Sequence, residues 1–182
     1  MSIKRDAVGR YTIGFQLSAP EPFKPALPKT GSSIGIDLNL TNFLTDSDGN
    51  VIANPKHYAA SAKQLAKARR KLLKRAARAK ADGRPLKTTK NCQKQRAYLA
   101  FLERRVANQR KDFLHHITTT LIKNHDLIVT EALRSKAMMK NHSFALRLAD
   151  VGWRLFLVYL DYKAELYGKQ VKTVDPHHTT QT

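Results

Sequence analysis

The chain has 182 residues, 42% of them hydrophobic, with 33 Lys and Arg against 14 Asp and Glu and a formal net charge of +19. That size suits one folded domain with a real core, and repulsion on the scale of +19 asks for a polyanionic partner, nucleic acid ahead of an anionic membrane surface. No run of about 18 apolar residues could span a bilayer, MSIKRDAVGR lacks the apolar stretch of a signal peptide, and Cys92, the one cysteine, makes neither an internal disulfide nor a cysteine-rich zinc site.

The sequence therefore reads as a cytoplasmic protein with no membrane partner, and Cys92 as a bystander thiol. From Arg10 to Leu17 the residues alternate, with Tyr11, Ile13, Phe15 and Leu17 on one side, which predicts a half-buried strand. The stretch SAPEPFKPALPKTGSS follows with four of the seven prolines, and proline removes backbone donors and restricts its neighbours. Residues 1–18 are accordingly expected to be a residual strand of a preceding domain. Residues 19–33 are expected to be a proline-rich linker into a domain over 34–182.

From Ser33 the character changes. Ile34-Gly35-Ile36-Asp37-Leu38 reads as a buried strand that carries one carboxylate. Residues 42–45 and 51–53 flank Asp46-Ser47-Asp48-Gly49-Asn50, a turn sequence that tolerates positive φ. Tyr58 to Lys80 is rich in Ala, Leu, Lys and Arg, all strong helix formers. Residues 81–85, Ala-Asp-Gly-Arg-Pro, break it, and a second helix runs from about Thr88 to Asn124 with Leu102, Val106, Phe113, Ile117 and Leu121 at helical spacing. The two are expected to form an antiparallel hairpin inserted at 56–124. From Lys63 to Lys111 there are 18 Lys or Arg and 2 Asp or Glu, a net of +16.

Leu127-Ile128-Val129-Thr130-Glu131 reads as another buried strand, ending in an acid. A helix over Phe144–Tyr167 would turn Leu148, Trp153, Phe156, Leu157, Leu160 and Ala164 inward. Gly168 would cap it, and Val171–Val174 would be a last strand. No internal repeat is present.

This order resembles an α/β, RNase H-like fold, in which neighbouring central strands present carboxylates at one sheet edge. Such oxygens can hold a pair of Mg²⁺ ions about 3.5–4 Å apart for phosphodiester hydrolysis, and Mg²⁺ demands hard oxygen ligands. Asp37 and Glu131 are the acids that sit in apolar strands. An unpaired carboxylate there is costly, and the residues by themselves leave both a catalytic reading and a solvated strand-end reading open.

The stretch Gly35-Ile-Asp-Leu-Asn-Leu-Thr-Asn-Phe-Leu-Thr-Asp-Ser-Asp-Gly49 resembles the first RuvC motif of TnpB proteins. Arg104-Arg-Val-Ala-Asn-Gln-Arg-Lys-Asp-Phe-Leu-His-His116 resembles that family's bridging helix, and Leu127-Ile-Val-Thr-Glu131 its second RuvC motif. Asp150-Val-Gly-Trp153, Tyr162-Lys-Ala164 and Tyr167-Gly-Lys169 follow in the family's order. The match covers about Ile34 to the C-terminus, and Arg5 to Leu17 resembles the last strand of the family's preceding domain. TnpB proteins are transposon-encoded, RNA-guided DNA endonucleases related to type V CRISPR effectors. The resemblance implies a RuvC core, Mg²⁺ as cofactor, DNA and guide RNA as partners, and Asp37 and Glu131 as the first two catalytic, metal-binding carboxylates.

In the family, a Thr-Ser-Gln-Thr-like segment leads into a zinc ribbon and then the third catalytic Asp. Here Thr179-Thr-Gln-Thr182 matches that lead-in and ends the sequence, so the core is expected to be incomplete at its C-terminus, with no zinc site. Much of the family's N-terminal module is likewise expected to be missing, and Ala132 follows Glu131 where many relatives carry a polar or acidic residue. Asp175 reads either as a third metal ligand or as a turn residue before Pro176; His177 and His178 are poor Mg²⁺ ligands.

His115 and His116 should face phosphate or solvent. The backbone-contacting residues are expected to be Lys67, Arg70, Lys71, Lys74, Arg75, Arg78, Arg104, Arg105, Arg110 and Lys111, because +16 with so few acids exceeds what solubility needs. They would read a heteroduplex by shape and charge. The expectation is a TnpB-like fragment that binds nucleic acid and does not cut alone. The alternative is a catalytically dead nucleic-acid-binding or regulatory protein of the same origin. The oligomeric state stays open.

Overall fold

Among residues 1–6, 8–18, 20, 25–132 and 150–175, which the computed structural model describes, the periodicities resolve into seven strands and three helices. They fall into two compact units, Met1–Ala19 with His57–Gln109, and Pro20–Lys56 with Arg110–Thr182.

In the first unit, strands β1 (Ser2–Arg5) and β2 (Tyr11–Gly14) pair antiparallel with Ile3 opposite Ile13. The carboxylate of Asp6 closes the loop between them by accepting the backbone N–H groups of Val8 and Arg10. Two sequence expectations are corrected here. The strand is not alone, because Ser2–Arg5, too polar to give a periodic signal, is its partner. Nor is it half-buried, since Tyr11, Ile13, Phe15 and Leu17 are 55–71% exposed; a two-stranded ribbon supplies no second layer of its own to cover an apolar face.

Helix α1 (His57–Ala81) and the Lys90–Gln109 part of helix α2 (Lys90–Asn124) complete this unit. Gly83, at φ 64°, turns the chain out of α1, and the Pro85 carbonyl accepts hydrogen bonds from the hydroxyls of Thr88 and Thr89 just before α2 begins. The helices bury Leu65 and Ala68 against Leu102 and Val106, with Tyr58 and Leu99 packed alongside. Cross-helix partners descend along α1 as they climb along α2: Arg75 donates to the Asn91 carbonyl at 2.9 Å and Gln95 to the Ala68 carbonyl at 3.1 Å.

The second unit is built on a five-stranded sheet of order β5-β4-β3-β6-β7. Its strands are β3 (Ser33–Leu38), β4 (Asn42–Asp46), β5 (Val51–Ala53), β6 (Leu127–Glu131) and β7 (Gln170–Val174). The first three form an antiparallel meander, while β3–β6 and β6–β7 are parallel. Ile34, Ile36 and Ile128 project into one core. Phe43 and Leu44 of β4 join it, as do Leu114, Ile117, Leu121 and Ile122 of α2 and Trp153, Phe156, Leu160 and Ala164 of helix α3 (Trp153–Tyr167). Phe43, wholly buried, packs edge-on to Phe113 and Phe156 at centroid distances of 5.0 and 5.2 Å.

Residues 144–149 of the expected long helix lie outside the described residues. The helix does not run through to Tyr167 unbroken, because Gly152, at φ 74°, interrupts it one residue before α3. Gly168, at φ 68°, caps its far end in the left-handed conformation, with Lys169 N–H returning to the Ala164 carbonyl.

The described part of the proline-rich stretch is bonded in place. Leu27 N–H donates to the Tyr167 carbonyl, and the backbone N–H groups of Thr30 and Gly31 both donate to the Asp126 carboxylate. The buried ammonium of Lys169 reaches the same carboxylate at 2.5 Å and the Pro28 carbonyl at 2.7 Å. The second buried cation, Lys163, donates to the His115 carbonyl and to the hydroxyls of Thr118 and Thr119 at 2.7–2.8 Å, and burial pushes its pKa down.

Candidate functional site

The alternation of β3 decides where Asp37 points. Ile34 and Ile36 are buried, so Ser33, Gly35 and Asp37 occupy the opposite face. The same holds for β6, where Ile128 and Thr130 are buried while Leu127, Val129 and Glu131 lie on the other side. The parallel register pairs Gly35 with Val129 and Ile36 with Thr130, and Asp37 and Glu131 are the next residues of the two strands. Adjacent strands lie roughly 4.8 Å apart, and the two acids share one face at the carboxyl ends of the two central parallel strands. Asp37 is exposed and Glu131 half-buried.

Around Asp37 lies a shallow cavity of about 330 Å³ lined by Gly35, Ile36, Asp37, Thr45, Asp46 and Ser47. The Ser47 hydroxyl accepts the Gly35 N–H at 3.2 Å, and Asn39 donates to the Thr45 hydroxyl at 3.3 Å. Asp46 is committed to its turn, accepting the N–H groups of Asp48 and Asn50 and the Asn50 side chain. Desolvation raises the Asp46 pKa, but the hydrogen bonds from Asn50 and Asp48 outweigh it and the net shift is downward.

The register continues to β7, where Val174 is the residue opposite Glu131. Asp175 follows it, exposed, at the position where strand alternation turns to the other face. Among the described residues no group of three or more His, Cys, Asp or Glu side chains comes together. His177 and His178 lie outside the described residues. His115 stacks on Tyr159, centroids 4.0 Å apart and 15° between planes; burial first, then the charge of Lys163, hold its imidazole pKa down.

The ten basic residues singled out in the sequence divide into two groups. Lys67, Arg70, Lys71, Lys74, Arg78, Arg105 and Lys111 are exposed and make no ion pair among the described residues. Arg75, Arg104 and Arg110 are half-buried and held. Arg75 bonds the Asn91 carbonyl and the Gln95 side chain, Arg104 meets Asp6 at 2.9 Å, and Arg110 donates to the Asp150 carbonyl at 2.7 Å. Periodicity could not show this second group, because the partners are remote in sequence or backbone atoms. Cys92 is buried and Trp153 belongs to the core.

A mixed α/β unit with two acids side by side on its central strands, in a chain with a strongly basic pair of helices, is a geometry that many nucleic-acid enzymes could share. Comparison with known proteins narrows it. A model of the OrfB_IS605 family, described as a probable transposase, matches residues 14–142. A model of the Cas12f1-like TNB domain matches residues 153–182. A Streptomyces pristinaespiralis protein named "Putative RNA-guided DNA endonuclease" is 31% identical over 175 residues, 96% of this chain and 40% of that protein. Its namesake InsQ of Escherichia coli K12 is 30% identical over 188 residues, covering 95% of this chain and 44% of InsQ. The chain thus spans less than half the length of these relatives. It belongs to the OrfB_IS605 family of probable transposases, the TnpB family.

Proposed function

We propose that this chain carries the RuvC-like catalytic core of an RNA-guided DNA endonuclease, with Asp37 and Glu131 as its first two metal-binding carboxylates. The observation that carries the reading is the β3–β6 register, paired as far as Ile36 and Thr130, with each acid the next residue of its strand and on the face opposite the core. The strand order β5-β4-β3-β6-β7, an antiparallel meander continued by parallel strands, is that expected of an RNase H-like sheet. The sheet strands lie at 33–53 and 127–174, on either side of α1 and most of α2, which supports reading 56–124 as a basic helical hairpin inserted in a domain over 34–182.

The acid pair suits a divalent cation. Its donors are oxygen only, the hard ligands that Mg²⁺ takes, and neither acid has an ion-pair partner among the described residues. Asp37 and Glu131 would hold Mg²⁺, which when bound activates water and stabilises the leaving oxygen in phosphodiester hydrolysis. The chain's own contribution is rigidity: both carboxylates stand on paired strands whose opposite face is anchored in the core. DNA and a guide RNA are the partners this reading implies, and the exposed cations of α1 and α2 would contact their backbones.

The second reading, a binding protein without catalysis, is favoured by one observation: no third acid or histidine joins the pair among the described residues. Losing one preorganised electrostatic group costs a factor on the order of 100 or more in rate, so on this second reading the chain binds nucleic acid and cuts slowly at most. Purified protein incubated with single-stranded and supercoiled DNA in Mg²⁺ or Mn²⁺, beside Asp37→Ala and Glu131→Ala, separates the readings. Cleavage lost in both variants supports the catalytic core, with an Asp175→Asn variant then testing Asp175 as third ligand. Cleavage that persists in both variants contradicts it.

A further inference from the structure

Within the first unit, α1 and α2 leave a groove of about 440 Å³ between them, lined by Gln64, Lys67, Ala68, Lys71, Gln95 and Tyr98. Its floor is fixed. Gln95 is buried, donates to the Ala68 carbonyl at 3.1 Å and accepts from Arg75 at 3.3 Å. Its rim presents an aromatic ring, for Tyr98 is 45% exposed and its hydroxyl is held by the Gln64 amide at 3.3 Å. Lys67 and Lys71, one turn apart on α1, are exposed and make no ion pair among the described residues. One turn beyond Tyr98, Phe101 is 44% exposed. Lys94 and Arg105 flank these two aromatics at intervals of four, three and four residues, which is one face of a helix.

An aromatic ring and a pair of ammonium groups around one narrow groove match the two halves of a nucleotide. A paired base in a duplex is already stacked on both faces and cannot offer one to a side chain, whereas an unpaired base can. A surface that only tracked a duplex backbone would need cations alone. We propose that this groove takes one unpaired nucleotide of a single strand, its base stacked on Tyr98 and its phosphate on Lys67 and Lys71, with Phe101 receiving the neighbouring base. The inference rests on the nucleic-acid-binding reading above and adds a preference for unpaired bases at one place on the helices.

The test uses the full chain and a short oligonucleotide containing 2-aminopurine, as single-stranded RNA, as single-stranded DNA, and as the corresponding duplex. Tyr98→Ala should weaken single-strand binding by about tenfold, the loss of one stacked base, and leave duplex affinity unchanged. Tyr98→Phe, which keeps the ring, should bind like the parent chain and quench the 2-aminopurine equally. Tyr98→Leu, which keeps the apolar bulk, should behave like Tyr98→Ala, with circular dichroism confirming the fold. Loss in the RNA or the DNA arm supports the groove and assigns the strand it holds. Unchanged single-strand affinity in Tyr98→Ala, with duplex binding intact, overturns the groove while sparing the backbone reading. Failure of the parent chain to bind any of the three overturns both.

Discussion

Replacing Lys67, Arg70, Lys71, Lys74 and Arg78 together by Gln removes five exposed, unpaired cations from one stretch of α1. At a rise of about 1.5 Å per residue the stretch is roughly 16 Å long. A duplex of that length carries on the order of nine phosphates, one per roughly 1.7 Å of axis, so all five cations can find a phosphate. Counterion release gives a slope of about −0.9 per contact in log affinity against log salt. Five contacts make about −4.5, roughly a 500-fold loss of affinity between 50 and 200 mM salt. The quintuple variant should flatten the slope by up to that amount, measured by fluorescence anisotropy across a salt series. Replacing Arg75, Arg104 and Arg110 should change the slope by less than about one, because each is already held inside its own unit. A quintuple variant that keeps the parent slope would refute the assignment of these contacts to α1.

Three further outcomes follow from the packing of the sheet unit. Phe43→Ala should lower unfolding free energy by about 3–5 kcal/mol, and Phe43→Leu by clearly less, in urea titrations; equal costs would mean that the edge-on contacts with Phe113 and Phe156 add nothing. Gly152→Ala should cost about 1–2 kcal/mol in the same assay, since φ 74° is strained for any L side chain and the new Cβ would meet the Arg110 Cδ at 2.9 Å. The Asp126 carboxyl is held well below the usual carboxylate range, first by the Lys169 ammonium and then by the Thr30 N–H. Its folded pKa lies below the unfolded value, so its stabilisation is present above about pH 4 and is lost as pH falls from there. Asp126→Asn should therefore flatten the acid limb of the urea midpoint against pH; an unchanged limb would contradict that account.

Short-range periodicity made much of the sheet unit legible in sequence. Leu127–Glu131 is a strand with the predicted bounds, and the turn at Asp46–Asn50 joins two strands as its Asp and Gly residues demand. Gly168 caps α3 because a left-handed residue was needed there. Asp37 and Glu131 could be picked out as acids in apolar strands, yet their adjacency depends on the parallel β3–β6 register, which pairs residues more than 90 positions apart. The same distance hides Asp126, which nothing in its neighbouring sequence marks as the anchor of Thr30, Gly31 and Lys169. The exposure of Tyr11, Ile13, Phe15 and Leu17 is not legible in sequence, because alternation reports which residues share a face, not whether another layer covers that face.

Mn²⁺ titration followed by NMR tests the proposed divalent-cation site at the two strand ends directly. Paramagnetic broadening should begin at the residues around Asp37 and Glu131, including Thr45 and Val174, which the register sets beside them. It should vanish in the Asp37→Asn, Glu131→Gln double variant while the spectrum stays folded. Broadening that survives in the double variant, or that starts elsewhere on the chain, would contradict the proposed site.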